Sequence, residues 1–348
     1  MEADYPWTRD PLIVNAPMRL ITLAPLAVAV SQAGGFGFLA AGTDVKDLKT
    51  ELQRAKDLLQ KGPIKGSDQD VLPIGVGFIN WGITLDTVLE ALREHIPAAV
   101  WFFAPKRNQD LIEWTKTIGK MSKGKTKVWI QIGTVADALQ VARECKPDVL
   151  VVQGTDAGGH GLAQAAGVVS LLPEVADALK EEGMGRIPLI AAGGIVEGRG
   201  TTACLAIGAS GVVMGTRFLA SSEANIAKGY QDDVLRARDG GSSTVRTSVY
   251  DQLRGTTGWP SRYNGRGIIN QSFVDAQHGK STDENKKMYD EALKKGDEGW
   301  GESGRLTAYA GSGVGLIKEV KSARQIVLEV RRDAIEILSK ISKASSKL

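Results

Sequence analysis

Along the 348-residue chain, short unbroken apolar runs alternate with longer stretches whose apolar positions recur every three or four residues. The first pattern is that of strands buried on both faces of a parallel sheet, the second that of amphipathic helices. Strands are expected over residues 12–16, 37–40, 73–79, 98–103, 127–132, 149–153, 188–192 and 211–214. Helices are expected between them, over residues 21–30, 44–59, 85–94, 109–121, 134–144, 170–182 and 198–207. Eight strands alternating with helices, without hairpin signals, are the order of an α/β (β/α)8 barrel. A doubly wound sheet has the same alternation, because periodicity does not show closure.

The regular alternation stops near residue 222. Residues 223–308 carry scattered glycine and charge and read as a smaller, mostly helical appended domain over one end of a barrel formed by residues 1–222. The glycine-rich stretch Gly311-Ser312-Gly313-Val314-Gly315 then precedes a long amphipathic helix over residues 316–339, so that residues 309–348 return to the barrel. Composition changes little in this picture. Hydrophobic content of 43% and charged content of 24% are ordinary for a globular protein. A net charge of +3, from 43 basic and 40 acidic residues, is no nucleic-acid footprint. No apolar run approaches the roughly 20 residues that span a bilayer, and the acidic N-terminus lacks a signal-peptide core. Cys145 and Cys204 form no CxxC pair, which points to a reduced intracellular setting.

Candidate chemistry gathers at strand ends. After Val149-Leu150-Val151-Val152 the chain opens at Gln153-Gly154 into a loop with Asp156, Gly158, Gly159 and His160. Glycine there lets backbone N–H groups approach a flat ring or an anion, and a histidine supplies a proton carrier near neutral pH. Set against this, glycines also serve turns and a lone histidine is often structural. The seventh and eighth strands end alike, in Ala192-Gly193-Gly194 and Met214-Gly215-Thr216. In barrels these two loops commonly hold a phosphate, although both are also consistent with tight turns.

Three pattern matches fail on context. Residues 119–126 fit GxxxxGK[ST], but a helix precedes and a strand follows, the reverse of a phosphate-binding P-loop. The glycines of residues 35–40 follow a helix instead of opening one, and the sequon Asn270-Gln271-Ser272 has no expected route to glycosylation. His95 and His278 read as surface or structural, and no spacing suggests a metal site.

Three stretches together resemble one family: Ala16-Pro17-Met18 with Ser31-Gln32-Ala33-Gly34-Gly35-Phe36-Gly37, then residues 153–160, then the two glycine-bearing strand ends. The chain resembles the nitronate monooxygenases, formerly 2-nitropropane dioxygenases, over about residues 11–222 and again over 309–316. The resemblance implies a TIM barrel carrying FMN, with a smaller domain over its mouth. It implies that Met18 lies near the flavin ring, and that Gln153 and Gly158 hold the flavin and its ribityl chain. It further implies that Gly193, Gly194, Met214, Gly215 and Thr216 form the phosphate loops, and that His160 is the active-site histidine. One departure is Gly77, where the family often has asparagine; this removes a polar contact to FMN.

The function so implied is oxidation of alkyl nitronates by O2 to a carbonyl compound and nitrite. A small-molecule substrate and O2 are then the partners, with no nucleic acid, membrane or metal. A flavin reductase using NAD(P)H on quinones or enoyl thioesters shares this barrel, and a non-catalytic FMN or phosphate binder is a third reading. Ser346-Lys347-Leu348 at a free C-terminus matches the address read by the peroxisomal import receptor, so a peroxisomal location is expected, and a cytoplasmic one otherwise.

Overall fold

A computed structural model of the chain describes residues 1, 3–68 and 70–345. The alternation read from the sequence is realised as β1 (Ile13–Asn15), α1 (Ala24–Gln32), β2 (Phe38–Gly42), α2 (Leu48–Lys61), β3 (Leu72–Ile79) and α3 (Leu85–Leu92). It continues as β4 (Pro97–Phe103), α4 (Asp110–Met121), β5 (Lys127–Ile132), α5 (Val135–Glu144) and β6 (Val149–Gln153). An extra strand, β7 (Gly159–Leu162), then precedes α6 (Val168–Glu181), β8 (Leu189–Ala192), α7 (Gly198–Ala206) and β9 (Gly211–Met214).

Strands β1 to β9, apart from β7, form one parallel sheet in the order β1-β9-β8-β6-β5-β4-β3-β2. A parallel bridge between Val14 and Phe36 joins its two edges. Neighbours follow chain order all the way round, so the sheet is a barrel; a doubly wound sheet would reverse direction at a switch point.

Two apolar layers result from the strand period of two. Leu150 and Val152 face outward into the layer shared with the helices. Val149 and Val151 face inward with Phe36, Phe38, Trp101 and Trp129. The N-terminal segment adds Tyr5 and Trp7 to this inner cluster, and the Tyr5 hydroxyl accepts a hydrogen bond from Trp129 Nε1 at 2.8 Å. Aromatic packing therefore fills the interior near the starts of β5 and β6. The same parity carries Gln153, the last residue of β6, inward at the other end.

The appended region follows α8 (Thr216–Leu219). It comprises α9 (Lys228–Arg236), α10 (Gly240–Ser243), β10 (Thr244–Thr247), α11 (Val249–Arg254), β11 (Tyr263–Ile268), α12 (Gln271–Gln277) and α13 (Thr282–Lys294). Helices dominate, as the sequence suggests, but a three-stranded antiparallel sheet, β10-β11-β7, sits among them. Its third strand comes from the barrel's own loop after β6, with His160 in register with Gly265. His160 thus lies on a strand and not in a free loop, and the division at residue 222 is bridged by shared backbone hydrogen bonds. The Gly-His-Gly-Leu sequence of β7 hides the strand because it shows no apolar alternation.

The last helix, α14 (Ala323–Ser345), packs on α7 and α1. It starts later than residue 316 because Ser312–Leu316 forms a 3-10 turn. A capping box then opens α14: Ser322 Oγ accepts the Gln325 N–H, and Gln325 Oε1 accepts the Ser322 N–H. Ser346-Lys347-Leu348 lies outside the described residues.

Candidate active site

A cavity of about 860 Å³ opens at the C-terminal ends of the barrel strands, beneath the appended region. That volume is in the upper range of small-molecule sites. The inward parity of the strands supplies its floor: Gly77 of β3, Trp101 and Phe103 of β4, Gln131 of β5, Gln153 of β6, Ala192 of β8 and Val213 of β9. Trp101 Nε1 donates to Gln131 Oε1 at 3.1 Å, which satisfies a polar group on the floor.

The two glycine-bearing strand ends meet at this floor. Gly193 and Gly194 take φ of 105° and 76°, a conformation that glycine adopts without strain. The N–H groups of Gly193, Gly194, Gly215 and Thr216 donate to no protein acceptor among the described residues. The returning segment closes over them. Gly311 N–H donates to Thr216 Oγ1 at 3.0 Å, and Ser312 Oγ donates to Asp156 Oδ1 at 2.9 Å. Contact is close enough that a Cβ on Gly158 would stand 2.4 Å from the Gly311 nitrogen. Gly158 is therefore required by packing, whatever else it touches.

His160 reaches the cavity from β7. Its Nε2 lies 2.9 Å from both carboxylate oxygens of Asp251 on α11. Its ring stacks on Trp259 with centroids 3.7 Å apart and planes 7° from parallel. Asp251 is 6% exposed, and its Oδ1 also accepts hydrogen bonds from Thr256 Oγ1 at 2.8 Å and Tyr309 Oη at 3.2 Å. Burial, and then the Asp251 charge, push the Tyr309 phenol well above its ordinary pKa, so it remains a donor. Gln153 Nε2 donates to the His160 carbonyl at 3.2 Å and ties β6 to β7.

The loop between them is held from behind by two arginines of the β10-β11-β7 sheet, the lid sheet over the cavity. Arg246 donates to the carbonyls of Ala157 at 2.8 Å and Thr155 at 3.3 Å, and Arg266 Nε also donates to Thr155. Burial, reinforced by the neighbouring Arg266 charge, lowers the Arg246 pKa to about 10.

Of the residues singled out in the sequence, Met18, Gln153, Gly158, His160, Gly193, Gly194, Gly215 and Thr216 all line this cavity. Met214 does not. Strand parity turns its side chain outward into the helix-facing layer, where it is fully buried, and Val213 lines the cavity in its place. Asp251, Trp259 and Arg246 carried no local signal. Asp251 stands 91 residues from His160, and the β7–β11 pairing helps bring their elements together.

The nitronate monooxygenase family model matches residues 80–333, which take in the later barrel strands and the whole appended region. The chain belongs to the nitronate monooxygenase family. A nitronate monooxygenase, npaC, of Metarhizium robertsii is 50% identical over 340 residues, covering 97% of this chain and 94% of that one. A nitronate monooxygenase of Neurospora crassa is 39% identical, covering 97% and 92%. Among solved structures, a nitroalkane oxidase from Streptomyces ansochromogenes superposes with a TM-score of 0.73 at 22% identity, covering 95% of this chain and 98% of that one. That last likeness speaks for the fold. As a member of the nitronate monooxygenase family, the chain is an oxidoreductase, and nitronate oxidation is the reaction class of the family.

Proposed function

We propose that this chain uses FMN to oxidise alkyl nitronates with O2, giving a carbonyl compound and nitrite. The observation that carries the reading is that one cavity holds both four unengaged backbone N–H groups and a carboxylate-paired histidine. The residues present fit FMN. Gly193, Gly194, Gly215 and Thr216 would hold its phosphate through their N–H groups. Met18, Gln153 and Gly158 would border its ring and ribityl chain. Bound there, FMN supplies the electron acceptor for the nitronate and the centre from which O2 is reduced.

The chain's own residues do the rest. His160 orients the anionic nitronate as a hydrogen-bond donor and takes the Cα proton from a neutral nitroalkane. Trp81, Phe103 and Trp259 line the cavity with aromatic surface, which excludes water and strengthens the polar contacts made inside. The tail Ser346-Lys347-Leu348 would direct the enzyme to peroxisomes through the import receptor.

The test is an anaerobic titration of the purified yellow protein. An alkyl nitronate should bleach the flavin, FMN should be the compound released on denaturation, and readmitted O2 should yield nitrite. Bleaching by NADH or NADPH alone would make the protein a flavin reductase. A colourless protein that does not take up FMN would end the flavin reading altogether.

A further inference from the structure

The appended region does more than cover the cavity, because among the described residues it supplies the only side-chain hydrogen-bond partner of the His160 ring nitrogens. We infer that Asp251 is a positioning residue that holds His160 as the Nε2–H tautomer, leaving Nδ1 as the nitrogen offered to the substrate. The inference rests on the proposed role of His160 only in its second half; the tautomer itself follows from the hydrogen bonds.

A carboxylate accepts and does not donate. With both Asp251 oxygens 2.9 Å from Nε2, the shared proton belongs to the ring nitrogen. Thr256 and Tyr309 both donate to Oδ1 of the same carboxylate, which fixes its orientation, while the histidine engages Oδ1 and Oδ2 alike. Trp259 fixes the plane of the imidazole by stacking, and Asp251 then decides which ring edge faces the lid. No described residue hydrogen-bonds Nδ1, so in the neutral ring its lone pair is free for a Cα proton; in the charged ring the same atom is a donor to a nitronate oxygen. Second partners of this kind set the tautomer, and with it the usefulness, of histidines in other active sites.

The experiment uses the full-length holoenzyme labelled with 15N-histidine. The chain has three histidines, so the ring signals are few, and the spectrum of His160→Asn assigns the one of interest. At alkaline pH, the His160 ring should carry its proton on Nε2. In Asp251→Asn a carboxamide can donate to Nε2, so the Nδ1–H form should grow while flavin content stays at the wild-type level. Turnover of neutral nitroalkane should then fall by about 10²–10⁴-fold, the range of a lost general base. For preformed nitronate the loss should be smaller and appear chiefly in KM.

A wild-type ring protonated at Nδ1 would overturn the inference outright, without reference to any substrate. So would Asp251→Asn with an unchanged tautomer and equal losses on both substrate forms. Should Asp251→Asn fail to fold, the double variant Thr256→Val with Tyr309→Phe keeps the carboxylate but frees its orientation. That variant should show both tautomers, and an unshifted single tautomer would count against the orienting network.

Discussion

At Gly77, where the resemblance implied asparagine, the structure leaves no room for a side chain. A Cβ built on Gly77 would lie 2.3 Å from Pro17 Cβ and 2.4 Å from Pro17 Cγ. Carbon atoms in good contact are about 3.5–4 Å apart, so the Pro17 ring would have to retreat by roughly 1 Å. Pro17 is the neighbour of Met18, and both line the cavity. Overpacking of this kind costs about 1–3 kcal/mol, against which a strand glycine replaced by alanine recovers about 0.5–1 kcal/mol of backbone entropy. Gly77→Ala should therefore destabilise the protein by about 1–2 kcal/mol, and Gly77→Asn by more. The assay is chemical denaturation of four proteins: wild type, Gly77→Ala, Pro17→Gly and the double variant. Because Pro17→Gly removes the clashing atoms, the two substitutions should couple favourably by about 1–2 kcal/mol. Additive effects, or a Gly77→Ala protein as stable as wild type, would refute the packing argument.

Two further outcomes follow from other parts of the chain. Gly158→Ala places a Cβ 2.4 Å from the Gly311 backbone nitrogen, so it should loosen the segment after Tyr309 and lower flavin retention, measured by absorbance after gel filtration. A fluorescent reporter fused upstream of the full chain should be found in peroxisomes, and removal of Ser346-Lys347-Leu348 should leave it cytosolic with flavin content unchanged; identical distributions would remove the targeting proposal.

The barrel was legible because its strands are buried on both faces and read as continuous apolar runs. Strand parity was legible too: in Val212-Val213-Met214 alternate residues must face opposite ways, and Val213 is the inward one. Motif resemblance singled out Met214, whereas the period of two places Val213 at the cavity. The His160 strand was not legible, since β7 pairs through backbone groups and carries two glycines that leave no alternation to read. The lid sheet behind it was missed for the same reason: Gly265 and Gly267 interrupt β11. Asp251 was beyond reach because nothing within its own helix marks it; its meaning comes from a pairing 91 residues distant. Ser322 and Gln325 form a capping box at the start of α14, a signal that the expectation of a helix from residue 316 passed over.

The central claim is that His160 acts on substrate in this cavity. It is tested most directly by the kinetics of His160→Asn on one nitro compound supplied in two forms, the neutral nitroalkane and its preformed nitronate. The loops proposed to hold the phosphate follow β8 and β9, whereas the histidine lies on β7, so the variant should keep its fold and its flavin. Its kcat/KM for the neutral form should fall by about 10²–10⁴-fold, and for the nitronate by markedly less, because that form has no proton to lose. Near wild-type rates on both forms, or equal losses accompanied by loss of flavin, would contradict the account.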